Sequence, residues 1–229
     1  MDSASAKEIN ETIRYTLWTI FARGITPGDD PKVGSDDLQK WSDSLAAQDI
    51  TIRGMYDVSG LREDADLMIW IHGPTAEGLQ TALRSFRRTA VGSSTSMVWS
   101  IMALHREAEF NRSHVPAFME GKAPKDWLCV YPFNRSYEWY LLPEVERRGM
   151  LVEHGMKGRS FPDVLSNTVA SFALNDFEWV LALESDRLHD LVDMMREMRY
   201  TDARRHVRDE IPFYTGKRVD IREVAELLR

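Results

Sequence analysis

The chain has 229 residues, enough for one large domain or two small ones and for a sizeable core without cross-links. Apolar residues at 43% and charged residues at 28% exclude a mainly disordered chain, and a formal charge of −7 argues against a general nucleic-acid binder. A single cysteine, Cys129, excludes a disulfide framework and a cysteine-based metal cluster. Unbroken apolar runs stop at about five residues against the ~20 that span a bilayer. The segment from Met1 to Asn10 is polar and lacks the apolar core of a signal peptide. The expectation is a protein of the cytoplasm with neither nucleic acid nor membrane as partner.

Arg14 to Ala22 reads as the first strand, with Tyr15, Leu17, Thr19 and Phe21 at period two. After a Gly/Pro/Asp loop, a helix is expected from Ser35 to Ala47, with Ser35 as N-cap and Leu38, Trp41 and Leu45 on one face. Ile50 to Val58 and Asp66 to His72 read as strands. A helix follows from Thr75 to Arg88, and then a strand from Met97 to Leu104. The order is strand, helix, strand, strand, helix, strand.

That order repeats. Trp127 to Phe133 reads as a strand, with Glu138 to Leu142 as its continuation after a break, and a helix runs from Pro143 to His154 and stops at Gly155. Val164 to Phe172 and Phe177 to Glu184 read as two strands. A helix carrying Leu188, Leu191, Met194, Met195 and Met198 comes next, and His206 to Phe213 returns as a strand. Two tandem βαββαβ units define an α+β chain of two ferredoxin-like halves, whose bare sheet faces can bury each other as a dimeric α+β barrel within one chain. The expected division is 1–105 for the first half, 106–126 for a connector and 127–229 for the second half, which carries the candidate site.

Common catalytic motifs are missing: there is no phosphate loop, HExxH, GxSxG or CxxC. The six histidines never fall at i, i+3 or i, i+4, which disfavours a multi-histidine metal site; histidines distant in sequence can still meet in space, and a single-histidine site, such as haem often uses, is also open. Three places carry candidate chemistry. His154-Gly155 reads either as an ordinary helix end, with a histidine in the last turn and a glycine after it, or as an axial imidazole. Tyr131-Pro132-Phe133-Asn134-Arg135-Ser136-Tyr137-Glu138-Trp139-Tyr140 reads either as half-buried sheet aromatics or as a one-electron relay at Tyr131 with Arg135 pairing to an anion. Pro132 within a strand calls for an edge or a bulge. His114, in Asn111-Arg112-Ser113-His114-Val115-Pro116, is either a solvated loop histidine or a base near neutral pH. Met194, Met195 and Met198 read as core filler.

Taken together, Glu109-Phe-Asn-Arg-Ser-His114-Val-Pro, the Tyr131 to Tyr140 segment, Glu153-His154-Gly155 and Met198-Arg-Tyr-Thr-Asp-Ala203-Arg resemble the coproheme decarboxylases of the chlorite dismutase-like superfamily, in their actinobacterial-type branch. The resemblance implies a pair of ferredoxin-like halves assembled as a homopentamer. It implies peroxide-dependent loss of two propionate carboxyl groups of iron-coproporphyrin III (coproheme) as CO2, through a tyrosyl radical, to give haem b. Carried over, His154 is the iron ligand, Tyr131 the radical-forming residue and His114 the distal base. Arg135, Trp139 and Arg112 contact the porphyrin, with Glu184 as partner of the His154 ring. Chlorite dismutases need a distal arginine, and the position taken as equivalent is Ala203, beside Arg204. A ferrochelatase is the expected upstream neighbour and a transient partner. The alternatives are a chlorite dismutase or peroxidase-type haem enzyme, and a non-catalytic haem-binding or sensor protein.

Overall fold

The computed structural model describes residues 5–24, 31–111 and 114–229. The chain opens with α1 (Ala6–Glu11), β1 (Tyr15–Arg23), α2 (Pro31–Ala46), β2 (Thr51–Asp57) and β3 (Leu67–Gly73). α3 (Ala76–Phe86), a short α4 (Ala90–Ser93) and β4 (Thr95–Leu104) follow. Beyond the connector come β5 (Trp127–Arg135), α5 (Glu144–Gly158), β6 (Leu165–Ala170), β7 (Trp179–Ser185) and α6 (Leu188–Met198). β8 (Val207–Asp209), β9 (Tyr214–Val219) and α7 (Val224–Leu227) complete it.

These elements form two compact units. One holds Ile13–Leu104 and Tyr214–Arg229; the other holds α1 and His105–Phe213. In the first, antiparallel pairing gives the strand order β4-β1-β3-β2-β9. β3, the sequence LMIWIHG, is buried at every position because it is flanked on both edges and covered on both faces. Leu38, Trp41 and Leu45 of α2 and Leu79, Ala82 and Phe86 of α3 meet Leu17, Phe21, Leu67, Ile69 and Ile71 in one apolar cluster. Trp41 keeps its polar end satisfied inside that cluster by donating from Nε1 to the Ala82 carbonyl at 3.0 Å.

In the second unit the order is β6-β7-β5-β8, again antiparallel. Each unit therefore carries the βαββαβ element order and the strand order of a ferredoxin-like half. The site segments all belong to the second unit. The connector is docked rather than free: Ala117 N donates to Ser166 O at 3.4 Å, Phe118 N to Asn167 Oδ1 at 2.9 Å, and Lys125 N to Glu184 Oε2 at 3.2 Å.

Several elements differ from their sequence-based expectation. α2 begins at Pro31, so Ser35 lies inside the helix and its hydroxyl donates to Arg222 O; proline suits a first helical turn, where its missing N–H would have no partner. Glu138 to Leu142 is not a strand but contains a 3-10 turn, Trp139–Leu141. α5 passes through His154 and Gly155 to Gly158, so His154 sits inside the helix and not at its dipole end, where Lys157 stands instead. An interior glycine costs a helix only ~1 kcal/mol. No bulge forms at Pro132 on the β7 side, where the register is unbroken from Trp127↔Ser185 to Phe133↔Trp179; the irregularity falls between Asn134 and Arg135, against β8. Pro212 interrupts the strand expected from His206 to Phe213. β8 ends at Asp209, and β9 pairs with β2 through Met55↔Val219, which places Tyr214–Arg229 in the unit of Ile13–Leu104 and not with 127–213.

One buried histidine makes the fold sensitive to acid. His72 of β3 accepts at Nδ1 from Arg14 Nε at 2.7 Å, and burial, aided by the Arg14 and Arg53 charges, lowers its pKa to about 3. An unfolded imidazole titrates near ~6.5, so as pH falls through the window from there to about 3 the unfolded state gains a proton that the folded state refuses. Stability is lost in that direction, and His72 alone should account for about 2 kcal/mol between pH 7 and 5. Urea unfolding of His72→Asn at the two pH values should show a loss smaller by that amount.

Candidate active site

β5 directs alternate side chains to one face, so Cys129, Tyr131 and Phe133 point the same way. Cys129 and Tyr131 pack with Leu183 of β7 and Leu191 of α6, joined by Met194, Met195 and Phe213. Tyr131 is 6% exposed. Phe213 stacks on its ring at 4.4 Å, and Tyr131 Oη donates to Met195 Sδ at 3.5 Å. Burial raises the phenol's pKa far above its usual value, with Cys129 and Glu210 adding to the rise and Arg199 and Arg204 opposing it. Tyr131 is therefore a neutral phenol facing a thioether.

Arg135 ends β5 at the irregularity and turns its guanidinium over Trp139, 4.1 Å from the ring centroid, and towards Phe133 at 5.1 Å. Trp139 is buried by the 3-10 turn and meets His206 at 5.5 Å on another side. Burial lowers the Arg135 pKa to about 10, with the fields of Tyr140, Glu178 and Glu109 opposing, so the group is charged at neutral pH. Among the described residues no carboxylate forms an ion pair with it. A half-buried guanidinium stacked on an indole and left without a counter-ion is a receptor for an anion.

His154 projects from α5 into the field of this cation. Its pKa is lowered by burial first and by Arg135 second, against the pull of Glu153, so the ring is neutral at physiological pH. Its Nδ1 is buried without a hydrogen-bond partner. The expected partner Glu184 does not hold it. Glu184, in β7, is fully buried and accepts from Asn167 Nδ2 at 3.0 Å and Lys125 N at 3.2 Å. A neutral imidazole on α5 and a nearby cation without a counter-ion suit an iron porphyrin with carboxylate arms.

His114 lies in the connector, exposed as a residue, and partial burial of its ring lowers its pKa, with Glu120 opposing and Lys122 assisting. Arg112 lies outside the described residues. The structure thus brings Arg135, Trp139 and His154 together. Among the described residues, no hydrogen bond or ring contact joins Tyr131 to His154, Arg135 or His114. Arg204, beside Ala203, is held by Glu210 at 2.6 Å, a carboxylate it shares with Arg199 at 2.8 Å.

Other participants escaped the sequence reading. Met195, taken for core filler, is the hydrogen-bond acceptor of Tyr131, and Phe213 is that residue's lid. Arg147 bonds the Tyr140 and Leu142 carbonyls at 3.1 and 3.4 Å and pairs with Glu109, which ties α5 to the connector. Tyr140 Oη donates to Glu178 Oε2 at 2.9 Å and accepts from Trp179 Nε1 at 3.0 Å. Burial pushes the Tyr140 phenol up to about 12, with the Trp179 bond opposing and Glu178 reinforcing. Only the aromatic density from Tyr131 to Tyr140 hinted at this group.

Residues 34–219 match the sequence profile of the chlorite dismutase family, and the chain belongs to that family. The coproheme decarboxylase of Mycolicibacterium smegmatis is 52% identical to it over 217 residues, which span 93% of each chain. Solved structures share the fold at lower identity. The chlorite dismutase of Candidatus Nitrospira defluvii in complex with imidazole superposes with a TM-score of 0.83 at 20% identity, covering 94% of this chain and 95% of that one. An arginine-substituted variant of the same enzyme gives 0.85 at 19% identity, covering 97% and 99%.

Removing the unpaired cation should weaken binding of a porphyrin with carboxylate arms. Arg135→Ala is expected to raise the Kd for iron-coproporphyrin by ~10–100-fold, the worth of a charge-assisted hydrogen bond, as read by absorption titration. Arg135→Lys should recover only part, because a point charge cannot stack on Trp139 as a planar guanidinium does.

Proposed function

We propose that this chain converts iron-coproporphyrin III to haem b by hydrogen-peroxide-dependent oxidative decarboxylation of two propionates to vinyls, through a radical on Tyr131. The observation that carries the proposal is the pairing of a neutral His154, one ring nitrogen unused, with the unpaired Arg135, in a chain closely similar to a coproheme decarboxylase. Each turnover removes two electrons from one side arm: a propionate, hydrogen peroxide and a proton give a vinyl group, CO2 and two waters.

His154 would hold the iron, since a neutral imidazole is the ligating form. Arg135 would fix a propionate by charge-assisted hydrogen bonds, and Trp139 beneath it keeps the guanidinium in one plane. When bound, the iron porphyrin supplies the oxidising power drawn from peroxide. His114, whose ring is neutral near pH 7, takes the proton of incoming peroxide at a ring nitrogen. Tyr131 gives an electron to the peroxide-derived oxidant and its Oη proton to the peroxide oxygen that leaves as water, and the phenoxyl then takes a hydrogen atom from the propionate β-carbon. Loss of CO2 and of one further electron, to the same oxidant, leaves the vinyl. Because one phenol serves two arms, the three-propionate intermediate turns between the two events.

The same reading carries assembly as a homopentamer, a transient contact with a ferrochelatase that delivers the substrate, and residence in the cytoplasm. Among the described residues no helix is long and apolar enough to cross a membrane.

The deciding experiment adds iron-coproporphyrin III to the pure apoprotein, titrates with peroxide and follows the pigment by mass. Loss of two carboxyl groups per molecule is expected, with Tyr131→Phe binding the pigment normally and releasing essentially no CO2. Near-normal turnover in that variant would remove Tyr131 from the mechanism. His114→Ala should slow the peroxide step by ~10²–10⁴ while leaving affinity almost unchanged. The wild-type rate should fall on acidification with a midpoint below ~6.5, the sign set by the lowered pKa of His114, and that limb should vanish in the variant.

A further inference from the structure

Two phenols of the second unit differ in what stands at their oxygen. Tyr131 faces the Met195 thioether, which is no base in water. Tyr140 donates to the Glu178 carboxylate at 2.9 Å, while Trp179 Nε1 donates to the same phenol oxygen at 3.0 Å. A phenol that loses an electron becomes a strong acid, so its oxidation is easy where a base stands ready to take the proton. Glu178 is that base, and its position is fixed: the same Oε2 accepts from Arg135 N at 2.9 Å, and Glu178 N donates to Asn134 Oδ1 at 2.9 Å. Trp179 extends the group inward by stacking on Phe133 at 6.5 Å, and Phe133 lies under Arg135. Outward, Tyr140 is 43% exposed, within reach of a dissolved reductant.

We infer that Tyr140 is a second redox-active tyrosine, oxidised by one electron as its proton passes to Glu178, and that it drains oxidising equivalents not spent on a propionate. The Tyr140 O–H bond breaks, and Glu178 becomes a carboxylic acid. The electron reduces the peroxide-derived oxidant by one equivalent, and a one-electron donor such as ascorbate restores the phenol as Glu178 returns the proton. The draining role rests on the peroxide-dependent function proposed above; the chemistry of the Tyr140–Glu178 pair does not.

The test has two arms. Full-length apoprotein is oxidised by flash-generated ruthenium(III) tris-bipyridine in the presence of a nitroso spin trap, and the adducts are mapped by peptide mass spectrometry. Tyr140 should carry more adduct than Tyr137 and Tyr200, although these are 77% and 72% exposed. Glu178→Gln, which keeps an oxygen for Arg135 N but loses the base, should lower the Tyr140 adduct at least ~10-fold. Equal labelling of the three tyrosines, or an adduct unchanged in Glu178→Gln, overturns the inference. In the second arm, coproheme-loaded Tyr131→Phe treated with peroxide should show more Tyr140 adduct than the loaded wild type; no increase overturns the draining role. Failure of the loaded wild type to release CO2 would sink the decarboxylase reading while the first arm still decides on Tyr140.

Discussion

The Arg135 guanidinium lies over the Trp139 ring, partly shielded from water, where among the described residues no carboxylate pairs with it. A charge in that position costs free energy to desolvate, and the fields of Glu178 and Glu109 offset the cost only from a distance. Two consequences follow from the one cation. It adds to burial in keeping the His154 ring neutral, and it leaves a positive group to which an anionic side arm can bind. A carboxylate of the protein placed on Arg135 would remove both at once: it would pull the imidazole towards protonation and occupy the donors. The three carboxylates nearest in effect or position are all engaged elsewhere, Glu178 with Tyr140 and the Arg135 backbone, Glu109 with Arg147, and Glu153 with Asp202 N.

The helix that carries His154 is held in an unusual way. α5 has no buried residue, so it is not seated by an apolar face as α2 and α3 are. It is tied by side chains near its two ends. Arg147 binds the carbonyls of the preceding turn and Glu109, Glu153 accepts from Asp202 N at 3.1 Å, and Lys157 pairs with Glu197 of α6. On the sheet side a buried amide and carboxylate do similar work for the connector. Asn167 and Glu184 satisfy each other and the backbone N–H groups of Phe118 and Lys125, so the segment that carries His114 is pinned a few residues downstream of that histidine. Both polar side chains are fully buried, and leaving either half-satisfied would cost ~1–3 kcal/mol.

Much of the fold was legible because its strands and helices bury regular stripes. Leu38, Trp41 and Leu45 mark α2, Thr75 caps α3 as its side-chain chemistry suggests, and LMIWIH could hardly be anything but a central strand. The misreadings arose where one residue was given too much local authority. Gly155 looked like a helix end, yet α5 carries on through it for three more residues and ends at the next glycine, Gly158. His206 to Phe213 looked like a strand, but Pro212 cannot join a ladder, and Tyr214 onwards finds the free edge of β2, a partner far away in sequence. Of the candidate site, His154 and Arg135 each allowed an ordinary structural reading beside the functional one, and Trp139 came only through the family resemblance. Glu184 was assigned to the wrong partner because strand order fixes which residues are neighbours but not which face each one takes.

What no sequence pattern could supply is the difference between two tyrosines nine residues apart. Both belong to one aromatic segment, and nothing local distinguishes them as chemistry. Their oxygens are separated in character by residues from other elements: Met195 of α6 for one, Glu178 and Trp179 at the start of β7 for the other. A phenol under Phe213 and against a thioether keeps its proton at rest and is shielded from stray reductants, which suits a group meant to react only with a bound partner. A phenol on a carboxylate at the surface releases its proton readily on oxidation and can be repaired from solution. Placing the second near the edge of a site that handles peroxide gives excess oxidising equivalents an exit that does not run through the buried core.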